Sequence, residues 1–425
     1  MRNEEQERIG LTRLGGFREP PRERGPDEDV LFRDLVDLPS TTFGAFALYR
    51  YPAKFIPHVV SHVLEKYASR GMTIFDPFAG YGTVGVVSRL YGYDYELWDL
   101  NPLLEILHDI SNLEPQEVNV RELVNSVIES EVEFKPDWSN FDYWFHPTFR
   151  PLLKRAWGFY HSIEDERVRL LLTIPLLKTS RQFSFDDIGR MKLSKSPRSK
   201  KRIEDFLSGD WKSRFRRMLE CRLSTVLKRL HEHQELGPND VTATVYGGVD
   251  SFSKSLEDDR DILITSPPYL QSQEYIRQAK MDLYWLGHSE SEMKRLSRLE
   301  IPYRAVGEVD INSETYSRMR GDISEEKMRT VFDRYFWGVG GAFTRLQEQI
   351  TNRMFIFVGR SSLRGTPIPL DRIFAEHLVS LGWIHEKTLV DTIVSRSMFS
   401  YEVNPATRIV DSRTATEHLV ILKRP

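Results

Sequence analysis

A glycine-rich turn between an apolar segment and a helical one constrains the fold of this 425-residue chain more than any other feature. Residues 74–85 read Ile-Phe-Asp-Pro-Phe-Ala-Gly-Tyr-Gly-Thr-Val-Gly, and residues 84–91 have helical character. A strand, a Gly-x-Gly turn and a helix form the first unit of nucleotide-binding α/β folds. Gly80 and Gly82 would let the backbone approach a ligand that a Cβ atom would block. The segment therefore predicts an α/β fold with a ligand at this turn.

A second apolar run ends in an unusual set of residues. The run from Asp261 to Ile264 reads as a buried strand, and Thr265-Ser266-Pro267-Pro268-Tyr269 follows it. Prolines stop a strand and stiffen the chain, here beyond the carboxyl end, where open α/β sheets bind ligands. A hydroxyl, carbonyls without strand partners and an aromatic ring suit a flat ring that bears an exocyclic amino group. The alternative is an ordinary turn after a strand.

Residues 95–98 read as a short strand, the second in chain order after the one that begins at residue 74, and Asp99 and Leu100 follow it. An acid at the end of the second strand, about 20 residues beyond the glycines, is placed to bind ribose hydroxyls. The alternative for Asp99 is a helix N-cap or a surface carboxylate.

Together these residues resemble the amino-group DNA methyltransferases that use S-adenosylmethionine. The segment 76–82 is similar to that family's Phe-x-Gly-x-Gly cofactor motif. The segment 266–269 is similar to its catalytic motif, in the form typical of enzymes that act on cytosine N4. Residues 51–57, Tyr-Pro-Ala-Lys-Phe-Ile-Pro, resemble the stretch that closes over the methionine end of the cofactor. The detailed resemblance covers residues 45–110 and 241–290.

The resemblance implies a Rossmann-like methyltransferase fold, with a mostly parallel seven-stranded sheet, helices on both faces and a largely helical insertion. It also implies S-adenosylmethionine as cofactor and no metal. The catalytic set that it implies is Ser266, Pro267, Pro268 and Tyr269. The cofactor-binding set is Ala53, Lys54, Asp76, Phe78, Gly80, Gly82, Thr83, Asp99, Leu100 and Asp250. Asp250 follows a predicted strand at 241–246, and its carboxylate would face the adenine amino group.

Composition excludes several other classes of protein. The apolar share of 40% supports a substantial core, and the longest apolar run, Leu170 to Leu177, is too short to span a bilayer. Without an apolar signal segment at the N-terminus, a cytoplasmic enzyme is expected. The only cysteine, Cys221, excludes an internal disulfide and a cysteine-rich zinc site. Cys221 also lacks the Pro-Cys context of enzymes that methylate cytosine at carbon 5.

Positive charge is concentrated in one region, although the net charge of the chain is −3. Between Lys178 and Arg229 the sequence has 16 Lys or Arg against 6 Asp or Glu. Such a patch would anchor duplex DNA through its phosphates, while base reading requires other side chains. Serines and a proline within residues 192–202 predict a loop there; the alternative is a solvated basic loop without a partner. The predicted DNA contacts are Arg181, Lys192, Lys195, Arg198, Lys200, Lys201, Arg202 and Arg277.

The chain divides into a charged flexible arm at 1–29, a catalytic domain at 30–110 and 241–425, and a helical insertion at 111–240. The insertion is the candidate DNA-binding and target-recognition region, and its aromatic cluster at 141–147 is expected to belong to a core. Charges of mixed sign at 288–330 predict a mobile or DNA-facing excursion. Two late strands, 354–359 and 418–422, would complete the sheet, the last in a hairpin with residues near 388–394.

The activity that the resemblance implies is methyl transfer from S-adenosylmethionine to the N4 atom of a flipped cytosine in double-stranded DNA. A companion restriction endonuclease acting on the same site would be a partner. Three alternatives stay open: an adenine-N6 DNA methyltransferase, an RNA amino-methyltransferase, and a non-catalytic nucleic-acid-binding protein with a decayed methyltransferase fold.

Overall fold

The structure is a computed structural model. It describes residues 27–38, 42–51, 54–115, 117–190, 192–270, 274–301, 303–359, 361–363, 366–392 and 416–425. Among these residues no helix is both long enough and apolar enough to cross a membrane.

The strands are β1 (Asp27–Val30), β2 (Ile74–Asp76), β3 (Tyr95–Asp99), β4 (Ala243–Gly247), β5 (Arg260–Thr265), β6 (Ile350–Gly359), β7 (Ser361–Leu363), β8 (Thr366–Ile368), β9 (Ile384–Thr392) and β10 (Thr416–Lys423). The helices are α1 (Phe32–Leu35), α2 (Pro57–Tyr67), α3 (Thr83–Tyr91), α4 (Leu103–Ser111), α5 (Val120–Glu129), α6 (Phe141–Trp144), α7 (Arg150–Ser162), α8 (Glu166–Gln182), α9 (Pro197–Leu207), α10 (Trp211–Gln234), α11 (Tyr275–Trp285), α12 (Glu290–Leu299), α13 (Glu314–Asp322), α14 (Glu326–Leu346) and α15 (Leu370–Ser380). Short 3-10 turns lie at Gly44–Ala47 and Gln347–Gln349.

The described residues form an eight-stranded sheet in the order β1-β9-β10-β6-β5-β2-β3-β4. Neighbouring strands are parallel except for β10, which runs antiparallel to both β6 and β9. The chain moves outward from β2 to β3 and β4, and then returns to place β5 on the other side of β2. This reversal is a topological switch point, and ligands of open α/β sheets bind beyond the strand ends at such points.

Side chains alternate between two cores, because successive residues of a strand point to opposite faces of a sheet. In β5, Ile262 and Ile264 join one core while Leu263 joins the other. The first core takes most of its helical side chains from α2, α3, α4, α11, α12 and the insertion, and the second takes most of them from α13, α14 and α15. The predicted α/β architecture, with helices on both faces of a mostly parallel sheet, is confirmed.

The sheet has one strand more than the seven expected. The extra strand β1 pairs in parallel with β9 and includes residues 27–29, for which the sequence predicts part of the flexible arm. Its side chains are mostly exposed acids, and Glu28 pairs with Lys387 at 2.6 Å. An edge strand tolerates such a sequence because its pairing depends on backbone groups. Residues 1–26 of the predicted arm lie outside the described residues.

The described residues of the insertion are largely helical. The prediction of a loop at residues 192–202 is wrong for its second half. Residues 197–207 form helix α9. Ser196 accepts a hydrogen bond from the backbone of Ser199, and Ser199 accepts one from the backbone of Ser196, with Pro197 at the first helical position. This is a capping box with serine in the place of the usual glutamate. The buried side chains Ile203 and Phe206 then hold the helix against the core.

Two other expectations about the chain agree with the structure. Strands β9 and β10 pair as the predicted antiparallel hairpin. In the aromatic cluster, Phe141 and Phe145 are buried and contact Trp285, so these two rings belong to the core.

Helix α7 packs closely against the backbone at residues 132–133, and this contact allows a test of the insertion's packing. A Cβ atom at Gly158 would lie 2.0 Å from the carbonyl oxygen of Val132, whereas one at Gly338 in α14 would have 3.7 Å to its nearest neighbour. We expect Gly158→Ala to destabilise the protein by about 3 kcal/mol or more, because backbone must move. Gly338→Ala is the matched control and should raise stability by up to about 1 kcal/mol through helix propensity. Thermal unfolding of both variants checks this, and an unchanged Tm for Gly158→Ala would contradict the packing.

Candidate active site

The glycine turn after β2 is fixed by a buried carboxyl group. Asp76 accepts hydrogen bonds from the backbone N–H of Phe78 at 3.0 Å and from the hydroxyl of Thr265 at 2.6 Å. Burial raises the pKa of Asp76 to about 7. Because Thr265 is the last residue of β5, Asp76 ties the glycine turn to the Ser-Pro-Pro-Tyr corner. Its role here is to join the two segments, and it does not line the cavity described below.

Both glycines of the turn have left-handed backbone conformations. Gly80 has a φ of +56°, and a Cβ atom there would lie 3.2 Å from the Tyr51 ring. Its N–H donates to a carboxylate oxygen of Asp99 at 2.8 Å. Gly82 has a φ of +86° and directly precedes helix α3. A side chain at either glycine would therefore be strained.

A single cavity joins the ends of β2, β3, β4 and β5 at the switch point, and with its open mouth it encloses about 820 Å³. We call it the switch-point cavity. Its lining residues are Tyr51, Phe78, Gly80, Asp99, Leu100, Asn101, Asp250, Ser251, Phe252, Ser266, Pro268, Tyr275, Ile276, Leu299, Glu300 and Ile301.

Asp99 is the acid at the end of β3, and its two carboxylate oxygens each accept one backbone N–H. The donors are Gly80 at 2.8 Å and Asn101 at 2.7 Å. A carboxylate has about four lone-pair sites, so capacity remains for hydroxyl donors in the cavity. Burial raises the pKa of Asp99 to about 6, an effect that the two N–H donors reduce but do not cancel.

Asp250 follows β4, and the guanidinium of Arg304 holds it in a bidentate pair, with N–O distances of 2.7 and 3.0 Å. Burial acts to raise the pKa of Asp250, but the hydrogen bonds and charge of Arg304 lower it overall. Arg304 also lies 4.6 Å from the centre of the Phe252 ring, and Phe252 contacts Phe78 at a ring separation of 5.6 Å. The two rings form an apolar wall beside a fixed carboxylate.

The corner after β5 contributes Ser266 and Pro268 to the cavity, while Pro267 is buried. The Tyr269 ring packs against Gly359 at the end of β6, where a Cβ atom would lie 3.2 Å from it. Its hydroxyl donates to Glu417 at 3.5 Å, and burial raises its pKa. Tyr269 adjoins the cavity without being among its lining residues.

The closing segment is described only in part, because Ala53 lies outside the described residues. Lys54 donates to the carbonyl of Phe46, and its ammonium lies 3.1 Å from the centre of the Tyr81 ring. Burial lowers the pKa of Lys54 to about 7. Of the described residues predicted to bind cofactor, Lys54, Asp76, Gly82 and Thr83 do not line the cavity, whereas Phe78, Gly80, Asp99, Leu100 and Asp250 do.

Several residues of the cavity are not among the site residues that the sequence predicts. Tyr51 and Tyr275 are large aromatic side chains in the wall, and Asn101 donates to the Tyr51 hydroxyl at 3.4 Å. Glu300 is buried and accepts the N–H of Ile276 at 3.0 Å, while burial raises its pKa to about 7. Tyr51 belongs to the closing motif and could have been found there. Glu300 lies in the charged stretch 288–330, where no local signal distinguishes it.

The predicted DNA contacts fall into two groups. Arg198, Lys200 and Lys201 are exposed on α9. The other five interact with groups of the protein. Arg181 pairs with Asp282 and Asp186, and Arg202 donates to the carbonyls of Gln182, Ser184 and Asp186. Lys192 and Arg277 each pair with Glu274, and the Lys195 ammonium lies 3.3 Å from the centre of the Tyr143 ring.

Arg181 and Arg202 therefore already serve internal contacts. Burial raises the free-energy cost of an unpaired guanidinium group, and acceptors within the protein hydrogen-bond to the guanidinium groups of both residues. Among the described residues, no group of three or more His, Cys, Asp or Glu side chains is arranged to hold a metal ion.

Comparison with known proteins shows a distant sequence similarity to a methyltransferase. The chain is 22% identical over 290 residues to the type II methyltransferase M.BsoBI of Geobacillus stearothermophilus, a match that covers 59% of this chain and 54% of that protein. The chain thus spans about half the length of the curated relative it matches. Two solved structures of the rRNA methyltransferase aviRa from Streptomyces viridochromogenes also align with the chain. The first has a TM-score of 0.29 and 10% identity, and the alignment covers 88% of this chain and 88% of that one. The second has a TM-score of 0.30 and 9% identity, and the alignment covers 93% of this chain and 96% of that one. No family model matches the chain.

Proposed function

We propose that this protein is an S-adenosylmethionine-dependent DNA methyltransferase that acts on the exocyclic N4 of a flipped cytosine. One observation carries the proposal: the Ser266–Pro268 corner and the Gly80–Asp99 contact line the same cavity at the switch point of the sheet. The distant similarity to a type II methyltransferase supports the same reaction class.

The residues of the switch-point cavity fit S-adenosylmethionine. Phe78 and Phe252 offer apolar faces to an adenine ring, and Asp99 retains acceptor sites for ribose hydroxyls. The missing side chain of Gly80 leaves room that a Cβ atom would fill. When bound there, the cofactor supplies a sulfonium-activated methyl group.

The chain's own contribution to the reaction is alignment and hydrogen-bond acceptance. The target base must leave the stack, because its amino group is not accessible to the methyl donor inside a duplex. The Ser266 hydroxyl and the Pro267 carbonyl then accept the two amino hydrogens and turn the nitrogen lone pair toward the methyl group. Acceptors that are already fixed in place stabilise the developing positive charge without reorganisation. Pro267 and Pro268 provide that rigidity, and the surplus proton leaves to water.

The first test is cofactor binding followed by methyl transfer. We expect S-adenosylmethionine to bind the purified protein in calorimetry and a labelled methyl group to appear in duplex DNA. Transfer to RNA with none to DNA would exclude a DNA substrate. Binding of DNA without any binding of S-adenosylmethionine would favour a non-catalytic nucleic-acid-binding protein.

The raised pKa of Asp99 predicts how cofactor binding varies with pH. The ionised carboxylate accepts hydroxyl hydrogen bonds, and its pKa of about 6 means that the free protein gains a proton below that pH. Binding then competes with protonation, so the Kd for S-adenosylmethionine should rise by up to about tenfold for each pH unit below 6. Calorimetry between pH 5 and pH 8 measures this. A Kd that falls as the pH decreases would contradict the role of Asp99.

A further inference from the structure

A second cavity adjoins the first and is lined mainly by the helical insertion and by α11. With its open mouth it encloses about 950 Å³, and it shares Tyr51, Asn101 and Tyr275 with the switch-point cavity. Helices α8 and α10 supply Lys178 and Arg222 to its wall. We call it the basic cavity. A ligand in one cavity can therefore continue into the other.

The basic cavity has an excess of positive charge. Of the described residues that line it, five have cationic side chains, Arg50, Lys178, Arg181, Arg190 and Arg222, and one, Asp282, has a carboxylate. Carboxylates partner two of the five: Arg181 pairs with Asp282 at 3.0 Å, and Arg190 pairs with Asp187 at 3.5 Å.

The other three cations have only neutral acceptors among the described residues. Lys178 donates to the carbonyl of Leu48 at 2.8 Å, Arg222 to the hydroxyl of Thr179 at 2.8 Å, and Arg50 to the carbonyl of Ile188 at 3.0 Å. Lys178 and Arg222 are also partly buried. Burial, with the nearby charges of Arg222 and Arg229, lowers the pKa of Lys178 to about 8. Buried charges are normally paired, so this arrangement lacks an anion.

The remaining wall of the basic cavity suits a nucleotide. Tyr49, Tyr51 and Tyr275 supply aromatic side chains, on which bases stack without sequence preference. Gln278 is 6% exposed, and its side-chain oxygen has no hydrogen-bond partner within the described structure. A buried acceptor without a donor beside unpaired cations suits a nucleotide, because its phosphate oxygens supply the anion and an amino group of its base supplies the hydrogen-bond donor that a phosphodiester lacks.

We propose that the basic cavity binds a backbone phosphate of the nucleic-acid strand next to the target nucleotide, with Lys178 and Arg222 as its principal contacts. This inference rests on the proposed function, because it places the phosphate beside the cavity of the methyl donor. The carboxylate of the cofactor's methionine end offers similar anionic oxygens. A phosphodiester fits better, since the methionine end also carries an ammonium group that the three unpaired cations would repel.

The test compares Arg222→Gln and Lys178→Gln with Lys228→Gln. Lys228 lies on the same helix as Arg222, its side chain is 74% exposed, and its replacement makes the same change in charge. Affinity for a short duplex is measured by fluorescence anisotropy across a salt series, and affinity for S-adenosylmethionine by calorimetry. We expect each cavity variant to lose 10- to 100-fold in DNA affinity, and its log–log salt slope to decrease by about 0.9 for a lost phosphate contact. Its cofactor affinity should stay within twofold, and the control should change both affinities by less than threefold.

Other outcomes would overturn the inference. A loss of cofactor affinity with unchanged DNA affinity would assign the anion to the cofactor's carboxylate. A fall in Tm with both affinities unchanged would assign the two cations a structural role, whereas removal of an unpaired buried charge should leave Tm the same or higher.

Arg222→Lys retains the charge and should retain most DNA affinity. If wild-type protein failed to bind S-adenosylmethionine but showed this salt-dependent DNA binding, the proposed function would fail and the phosphate site would stand.

Discussion

Replacement of Tyr269 by alanine is expected to reduce methyl transfer by about 100-fold or more, while S-adenosylmethionine still binds. We propose that the flipped base stacks on Tyr269 where the Ser-Pro-Pro-Tyr corner adjoins the switch-point cavity. Stacking of one base on an aromatic ring contributes about 1–3 kcal/mol, and loss of alignment at the reacting nitrogen adds to that effect. The ring is held in place, because it packs against Gly359 and follows directly on Pro268. Single-turnover methylation of duplex DNA, with calorimetry for the cofactor, measures the two effects separately.

Tyr269→Phe is the matched control for that experiment. The hydrogen bond of the Tyr269 hydroxyl to Glu417 is long, at 3.5 Å, so its removal should change the rate by less than about fivefold. A Tyr269→Ala variant that transferred methyl groups at the wild-type rate would exclude Tyr269 from the reaction. A loss of cofactor affinity in the same variant would show that Tyr269 supports the fold of the cavity.

Asp99→Ala is expected to weaken S-adenosylmethionine binding on the order of 100-fold. Hydrogen bonds to a charged acceptor contribute about 1.5–3 kcal/mol each, and Asp99 has acceptor sites free for two ribose hydroxyls. The substitution also removes the acceptor of the Gly80 and Asn101 N–H groups, so part of the effect comes from the shape of the turn. Calorimetry gives the affinity, and a thermal melt gives the effect on the fold.

Asp94→Ala separates these contributions. Asp94 lies just before the same strand, and its carboxylate accepts a backbone N–H, that of Thr242, at 2.7 Å. Its loss should alter stability to a similar degree and leave cofactor affinity within twofold, because Asp94 does not line the switch-point cavity. Equal losses of cofactor affinity in both variants would contradict a binding role for Asp99.

The sequence predicted the positions that depend on strand ends. Parallel strands bring their carboxyl ends to one edge of a sheet, so residues following β2, β3 and β5 had to meet once these strands were recognised. For that reason Phe78, Gly80, Asp99 and Ser266 could be placed together from local patterns. The same patterns also identified the final hairpin, because its apolar runs are long.

Contacts between distant segments could not be predicted in this way. The basic composition of residues 178–229 gave no indication that Arg181 would pair with Asp282, 101 residues away, or that Arg304 would hold Asp250. Glu300 enters the cavity through a stretch whose charges resemble those of an exposed surface. Helix α9 was missed because its capping box has serine rather than glutamate at the third position and its apolar residues are few.

The most direct measurement is the identity of the methylated nucleoside. Unmodified genomic DNA of mixed sequence is incubated with the protein and S-adenosylmethionine bearing a deuterated methyl group, then digested and analysed by mass spectrometry, with Asp99→Ala as the control. We expect deuterated N4-methylcytosine with wild-type protein and far less with the variant. Label at adenine N6 would contradict the assigned base, and DNA left unlabelled by the wild-type protein would contradict DNA methylation in the switch-point cavity.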